Sequence, residues 1–455
     1  MRYESDSMGR VAVADDALYG AQTQRAIDNF TISTRPMPDR FIHTLALYKA
    51  AAARANLACG ALDAARARAI ERAALRVAAG EFDAQFPVPV LQTGSGTSSN
   101  MNMNEVLARL SSTDEAPVHP NDHVNCSQSS NDVIPSCLQA TALALLQAQL
   151  LPGLERAIAA IRARAGEFED VVKTGRTHLM DAMPVTLGQE LGAWAAHLDE
   201  CRQRLSECAP RLAQLPVGGS AVGTGVNVPD GFADTLVAAL AELTGQPVTR
   251  APNPFARMAG QEVALECSSN LRALAVAMTK IANDLRWMAS GPLSGLAEIE
   301  LEALQPGSSI MPGKVNPVLP EAVLMACADI VGQDTSIALA AQSGNFQLNV
   351  MLPLIADKLV TQLELACGSC AALARTVSGL RVNTGRIQAN LAANPILVTA
   401  LNRDIGYEQA ARIAKRAFTE RRPVLDVAVE ETDLSRDRLA RLLDPHRLAR
   451  SRGGT

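Results

Sequence analysis

Three polar, glycine-rich parts of the chain carry residue types that could do chemistry. They lie at residues 93–105 together with 119–132, at residues 175–181, and at residues 306–317. Small hydroxyl, amide and charged side chains bury little apolar area, so packing does not explain their clustering. One such segment alone is more often an ordinary loop with helix caps, because Ser, Thr and Asn are favoured capping residues. Three together favour a functional site.

The segment at residues 306–317 has the composition of a loop that closes over an anion. Its glycines permit unusual backbone angles, and backbone N–H groups in such a loop can converge on negative charge. Ser308 adds a hydroxyl and Lys314 a full positive charge. A lone His178 is more often a structural histidine, but beside Thr177 in a polar loop its ring can exchange protons near neutral pH.

These groups suit the removal of a proton next to a carboxylate. One carboxylate of a dicarboxylic substrate would be fixed by hydroxyls and amides, while the other gains charge and needs Lys314. The glycines at residues 218–225 lack the strand–helix context of a dinucleotide loop, and Cys367 and Cys370 lack a second pair that would complete a zinc site. We therefore expect no cofactor and no metal.

The composition disfavours several partners. The net charge of −5 on 455 residues gives no field that would attract nucleic acid or an anionic membrane. No uninterrupted apolar run reaches the roughly 18 residues of a membrane span, and the acidic N-terminus does not resemble a signal peptide. Nine scattered cysteines fit reduced thiols. We expect a soluble, cytoplasmic protein with no nucleic-acid and no membrane partner.

Long helices must position the polar segments. Hydrophobic residues make up 48% of the chain and aromatic residues only 3%, a mix that suits packed helices. Apolar residues recur at helical spacing in five long stretches, which are residues 138–169, 186–215, 260–290, 319–341 and 349–380. We predict an all-α chain of three domains: an α-rich domain at 1–136, a central helix bundle at 137–385 and a small helical domain at 386–455.

The letters GSSIMPGKVNP at residues 307–317 resemble the fingerprint of the fumarase/aspartase superfamily. Further segments of the same resemblance extend it over nearly the whole chain. It implies a three-domain fold whose long central helices form a 20-helix core in a homotetramer, with each active site built from three subunits. It also implies a small dicarboxylic acid as substrate and no cofactor.

The resemblance implies a role for each matching residue. Ser308 resembles the catalytic base that, as an alkoxide, removes the C3 proton of the substrate. His178, paired with Glu321, resembles the group that assists loss of the hydroxyl as water. Lys314 and Asn316 match residues that hold the substrate carboxylates. The further substrate contacts implied are Ser95, Thr97, Ser129, Ser130, Asn131 and Thr177.

Local differences favour class II fumarases over aspartases. His119, Asn121 and Asp122 resemble a secondary dicarboxylate site of class II fumarases. The implied reaction is the reversible hydration of fumarate to L-malate, by anti elimination and addition through an aci-carboxylate intermediate. Leu293 and residues 318–320 depart from the commonest fumarase pattern, so aspartate ammonia-lyase is the alternative. A scaffold without turnover is a third hypothesis, which the retained reactive residues disfavour.

Overall fold

The computed structural model describes residues 1–450 and consists mainly of α-helices, which confirms the all-α prediction. The helices of the first half of the chain are α1 (Ala21–Asn29), α2 (Asp39–Ala58), α3 (Ala64–Ala78), α4 (Thr97–Ser111), α5 (Ser130–Leu145), α6 (Leu151–Glu167), α7 (Leu187–Leu212) and α8 (Phe232–Thr244). Those of the second half are α9 (Pro254–Ala259), α10 (Glu262–Met288), α11 (Val318–Ala341), α12 (Leu352–Gly379), α13 (Thr384–Ala392), α14 (Asn402–Ile405), α15 (Tyr407–Glu420), α16 (Val424–Glu431), α17 (Arg436–Leu442) and α18 (Pro445–Arg450).

Short strands form separate two-stranded pairs. The antiparallel pairs are β1 (Arg2–Asp6) with β2 (Gly9–Val13), β3 (Val172–Thr177) with β4 (Met180–Thr186), β7 (Ile299–Glu300) with β10 (Arg381–Val382), and β8 (Gly344–Asn345) with β9 (Leu348–Asn349). The parallel pair is β5 (Gln214–Leu215) with β6 (Thr249–Arg250). Pairs this small build no layer of their own, so helix packing supplies the core.

The five predicted long stretches correspond to long helices. α7, α10, α11 and α12 lie within a few residues of their predicted bounds. The first stretch differs: it begins earlier, at Ser130, and a π-helical turn at Leu146–Leu150 joins α5 to α6. A capping box fixes this start, because the Ser129 hydroxyl accepts a helix N–H while the Asp132 carboxylate accepts the N–H of Ser129 at 3.0 Å.

The chain divides into two compact units. The first comprises Met1–Pro152, Cys201–Ala275 and Ala326–Gly368, and the second comprises the intervening segments and the chain from Ser369 onward. The predicted boundaries at 136/137 and 385/386 fall inside α5 and α13. The three-domain division stays a prediction, and residues 451–455 of its last domain lie outside the described residues.

Helix α2 lies in the core of the first unit. It packs against α3, α5 and α8. Phe41, Leu45 and Tyr48 have no exposed surface, and each such side chain contributes about 2 kcal/mol by burial. The alanines at residues 50–53 combine high helix propensity with close approach of the neighbouring helices. Lys49 is equally buried and stands out among these apolar side chains.

The second unit contains the β3–β4 hairpin and the C-terminal helices. Leu401, Ile413, Val427 and Leu439 form a buried cluster at 0% exposure, which holds together the helices after α13. Helix α15 places Ile413 on its buried face, while Asn394 Nδ2 donates to a carbonyl of strand β4 at 2.9 Å. The cluster holds residues 397–443 together, and the Asn394 bond links this part of the chain to the hairpin.

Candidate active site

Ser129, Ser130 and Asn131 lie at the N-terminus of α5 in the first unit. The first N–H groups of a helix have no partner within the helix, and the helix dipole adds positive charge there. Such a position favours a carboxylate. Ser129 is also the N-cap, so one side chain serves both the capping role and the predicted binding segment.

Two hydrogen bonds involve the predicted substrate residues at the starts of α4 and α5. Asn100 Nδ2, in the first turn of α4, donates to Ser130 Oγ at 2.9 Å. At the start of α4, Ser95 Oγ and Thr97 Oγ1 lie 2.8 Å apart. Gly96 between them has a φ of +75°, which favours glycine. Asn100 thus joins α4 to Ser130 at the start of α5, and Ser95 and Thr97 form a separate hydroxyl pair at the start of α4.

The glycine-rich segment at residues 218–225 packs against this helix start. Asp132 Oδ2 accepts the N–H groups of Gly218 at 3.2 Å and Ser220 at 3.0 Å. Burial raises the pKa of Asp132 to about 6, although bonds from the N–H groups of Ser220 and Ser129 lower it in part. Two backbone N–H groups of this glycine-rich segment thus bind the carboxylate of Asp132.

Thr177 and His178 lie at the tip of the β3–β4 hairpin in the second unit. His178 and Leu179 form its two-residue turn, with φ values of +57° and +61°. A turn with positive φ at both positions normally holds Asn-Gly or Gly-Gly. Residues with longer side chains are strained there, and such strain occurs preferentially at functional sites. The turn leaves His178 exposed to solvent.

A buried ion cluster holds this hairpin. Lys173 Nζ lies 2.6 Å from Glu190 Oε2 and 2.7 Å from Glu298 Oε2, and Arg176 Nη2 lies 2.7 Å from Glu298 Oε1. Lys173 and Glu298 are each 1% exposed. Burial raises the pKa of Glu298, but its bond with Arg176 and the charge of Lys173 outweigh this and lower the pKa below its usual value. Glu298 is therefore held ionised between two cations.

The serine loop of the second unit, residues 306–317, is closed by bonds between its two ends. Gly307 N–H donates to the Lys314 carbonyl at 2.8 Å, and Asn316 Nδ2 donates to the Gly307 carbonyl at 2.6 Å. A Cβ on Gly307 would lie 2.5 Å from the Lys314 carbonyl oxygen, so the loop closes only with glycine there. Asn316 thus has an observed role in loop closure besides its predicted role in binding.

Ser308 Oγ accepts hydrogen bonds from the backbone of its own loop. The N–H of Ile310 lies at 3.2 Å and that of Met311 at 3.0 Å. Two donors aimed at one hydroxyl oxygen stabilise negative charge on that oxygen. The side chain is only partly buried, so a substrate can reach it.

Lys314 and Asn316 line a cavity of about 580 Å³ in the second unit. Arg286 and Arg381 also line it, against one carboxylate, that of Glu300. The excess of cations makes this cavity suited to an anion.

Glu321 lies in the first turn of α11. Within residues 1–450 no hydrogen bond or ion pair joins it to His178, so their pairing stays a prediction. In the same residues no group of three or more His, Cys, Asp and Glu side chains could hold a metal ion.

His119, Asn121 and Asp122 lie together at a short π-helical turn in the first unit. The Asp122 N–H donates to His119 Nδ1 at 3.2 Å, so this nitrogen acts as an acceptor. His119 lines a cavity of about 570 Å³ together with Arg2 and Arg109. Glu4 lines the same cavity and is ion-paired with both arginines, at 2.6 Å from Arg2 and 3.2 Å from Arg109, so the secondary site stays a prediction.

Lys49, Asn100 and Glu298 have roles in the structure that were not predicted from the sequence. For Lys49 a signal was available: Leu45, Lys49 and Asn56 recur at helical spacing, which puts a lysine on an apolar face. No sequence signal pointed to Glu298, because its partners on β3 are distant from it in the sequence.

The chain is similar to known proteins over nearly its whole length. A family model described as Lyase matches residues 9–332, and one described as Fumarase C C-terminus matches residues 397–450. The class II fumarate hydratase of Xylella fastidiosa is 55% identical and is aligned over 98% of this chain and 94% of its own length. Class II fumarate hydratase 2 of Pseudomonas aeruginosa is 53% identical over 98% of both chains.

Solved structures agree with the predicted fumarase/aspartase-like fold. The recombinant class II fumarase from Schistosoma mansoni superposes with a TM-score of 0.94 at 35% identity, covering 98% of this chain and 99% of that one. The identity and coverage of these relatives exceed what fold alone would give. The chain therefore belongs to the lyase family and, within it, to the class II fumarate hydratases.

Proposed function

We propose that the chain is a hydro-lyase that interconverts fumarate and L-malate without a cofactor. The observation that carries the proposal is the serine loop, where Ser308 Oγ accepts two backbone N–H groups within a few residues of Lys314. A hydroxyl in this setting can act as an alkoxide base, and the nearby ammonium can hold an anionic substrate. The relatives named above are class II fumarate hydratases, so the aspartate ammonia-lyase alternative is not favoured.

In the dehydration direction Ser308 Oγ removes a proton from C3 of malate. The electron pair moves into the adjacent carboxylate, which becomes the doubly charged aci-carboxylate. Lys314, Asn316 and the loop N–H groups stabilise this charge. The electrons then return to form the C2–C3 double bond, and the C2 hydroxyl leaves as water with a proton supplied through His178, assisted by Glu321. Hydration follows the same steps in reverse.

The first unit supplies the groups that hold the substrate in place. Ser129, Ser130 and Asn131 offer hydroxyl, amide and helix N–H donors, and Ser95 and Thr97 add hydroxyls from the start of α4. Thr177 is proposed as a further substrate contact. Neutral donors and a helix N-terminus bind a carboxylate without taking part in bond breaking, so these residues should affect substrate affinity more than the chemical step.

The working form is proposed to be a soluble, cytoplasmic homotetramer whose sites combine several subunits. Support comes from apolar side chains left exposed on long helices, including Val276 at 62%, Trp287 at 53%, Met325 at 69% and Leu339 at 57%. Exposed apolar faces of this kind are typical of protein–protein interfaces. His119 and its cavity are proposed as the secondary dicarboxylate site.

The experiment that tests the function compares substrates on the purified protein. Absorbance of the fumarate double bond is followed after addition of L-malate and, separately, of L-aspartate. We expect absorbance to rise with malate and to stay constant with aspartate. A rise with aspartate alone would establish an ammonia-lyase, and no change with either substrate would leave a protein without this activity.

A further inference from the structure

Lys49 is a buried cation whose hydrogen-bond partners are neutral. Its side chain lies on α2 with 0% exposure. Nζ donates to Gln128 Oε1 at 2.9 Å and to Asn125 Oδ1 at 3.1 Å, and no described carboxylate is within hydrogen-bond distance. Buried charges are normally paired, because an unpaired one is costly to remove from water.

The amide oxygen of Asn125 connects Lys49 to the proposed substrate segment. It also accepts hydrogen bonds from Asn100 Nδ2 at 3.1 Å and Asn104 Nδ2 at 3.2 Å. The same Asn100 amide donates to Ser130 Oγ at 2.9 Å. Two amide side chains therefore separate the ammonium from a proposed substrate hydroxyl, inside a core where charges interact strongly.

The ionisable groups that act on Lys49 are Asp132 and Cys137, both on α5, and none of those described on α3, α4 or α8 contributes. Asp132 uses its carboxylate to accept backbone N–H groups. Burial raises the pKa of the Cys137 thiol well above its usual value, so the thiol is neutral. Burial lowers the pKa of Lys49 to about 7, so its charge changes near neutral pH.

We propose that Lys49 is a positioning residue whose ammonium, acting through Asn125, Asn100 and Ser130, supplies positive charge for one substrate carboxylate and takes up a proton when the dianion binds. The inference rests on the proposed function, because it requires a carboxylate at Ser130. A bound dianion favours the protonated lysine, and the protonated lysine favours the dianion to the same extent. A lysine that only fills the core would show no such coupling.

The coupling is measurable in the wild-type protein. Succinate, a saturated four-carbon dicarboxylate without a double bond to hydrate, is titrated calorimetrically between pH 6.5 and 8.5 in two buffers that differ in ionisation enthalpy. If binding raises the pKa of Lys49 by one unit, about half a proton is taken up per bound succinate at pH 7.5. Succinate then binds about sixfold more tightly at pH 6.5 than at pH 8.5.

The test variant is Lys49→Gln, which keeps hydrogen-bond donors for Asn125 and Gln128 but carries no charge. Its affinity should approach that of the wild type at high pH and lose the roughly sixfold change that Lys49 adds between pH 6.5 and 8.5, and its proton uptake at pH 7.5 should fall by about half a proton. Tyr48→Phe is the matched control. Tyr48 is the neighbouring residue on α2, fully buried, and its hydroxyl has no hydrogen-bond partner. This variant should bind as the wild type does.

Unchanged proton uptake and pH dependence in Lys49→Gln would overturn the inference. If that variant fails to fold, the wild type alone decides, because absence of proton uptake there refutes the coupling. If the wild type converts malate normally but takes up no proton on binding succinate, only the proposed role of Lys49 is refuted. A wild-type protein that neither binds succinate nor converts malate would remove the proposed function itself.

Discussion

At the scale of single residues, the loop around Ser308 supplies the hydrogen-bond donors that its proposed role as a base requires. The bonds between Gly307, Lys314 and Asn316 close the loop, and the closed loop aims the N–H groups of Ile310 and Met311 at Ser308 Oγ. The proposed alkoxide at this position would find both donors already in place. The proposed reactivity therefore depends on backbone geometry as much as on the side chain.

The role of Ser308 can be tested against its neighbour. Ser308→Ala should lower kcat for malate dehydration by about 10³-fold or more, because it removes the proposed base while leaving the loop bonds in place. Ser309→Ala, at an exposed serine of the same loop, should keep kcat within about threefold. Both are measured by fumarate absorbance. A Ser308→Ala enzyme with a tenth or more of wild-type turnover would exclude the serine as base.

Single residues differ in how far the sequence predicts them. Ser308, Lys314 and Asn316 were predicted because a polar run between apolar helices has no packing explanation. Lys49 was missed although its spacing from Leu45 places it on an apolar helix face, because a lysine in an alanine-rich helix is more often exposed to solvent. Its significance depends on Asn100 and Asn125, which only the folded chain brings to it.

At the scale of elements, the β3–β4 hairpin combines a strained tip with a rigid base. His178 and Leu179 adopt positive φ, and the Lys173–Glu298–Arg176 cluster holds the strand that leads to them. Buried ion pairs often contribute little net stability but strongly resist loss of one partner. The cluster is therefore suited to fixing the position of the hairpin.

We predict that Glu298→Gln destabilises the protein and lowers kcat. Removing the carboxylate leaves Lys173 with Glu190 as its one remaining carboxylate partner within residues 1–450 and leaves Arg176 without its ion pair, and loss of a buried partner costs about 3 kcal/mol. Glu302→Gln, at an exposed ion pair with Arg375, should cost under about 1 kcal/mol. Thermal unfolding and malate turnover are measured for both.

The stabilisation of the folded protein by Glu298 should depend on pH in a direction that can be tested. Because the pKa of Glu298 is lowered in the folded protein, its stabilisation is present above the unfolded pKa of about 4.3 and lost as pH falls through the folded value. The difference in thermal stability between Glu298→Gln and wild type should therefore shrink below about pH 4. Equal thermal stability of Glu298→Gln and the wild type at pH 7 would rule out the proposed role of Glu298 in fixing the hairpin.

Helices were predictable because apolar spacing is a local property. The start of α5 was placed too late, since the capping box at Ser129 precedes the apolar stretch used to find the helix. The β3–β4 hairpin was not predicted, because its turn residues His178 and Leu179 lack the Asn-Gly signal of such turns. That strain is set by the surrounding structure and has no local signature.

At the scale of the whole molecule, two helices stand out for length and apolarity. The helices Ser130–Glu167 and Val318–Ala341 could span a membrane by length and composition alone. The most apolar window of the first is 78% buried, as in a core helix, whereas that of the second is only 33% buried. An interface with further copies of the chain would cover α11, in agreement with the proposed tetramer.

The division into units and the oligomeric assembly were the hardest features to predict from residue patterns alone. Periodicity predicts that long helices exist, but not which helix faces meet. Each of the five predicted long helices has one part in the first compact unit and the other part in the second. The three predicted domains, by contrast, are consecutive segments of the sequence. The tetramer and its shared sites come from the family resemblance, with the exposed side chains of α10 and α11 as physical support.

The central claim is that Ser308 and His178 act on one substrate and come from different subunits. Inactive Ser308→Ala and inactive His178→Asn tetramers are unfolded, mixed in equal amounts and refolded together, with mixed assembly verified by native mass spectrometry. Each site then has an intact serine and an intact histidine with probability one half each, so about a quarter of wild-type malate turnover should return. Mixed tetramers with no activity would show that both residues come from the same chain and would contradict the shared site.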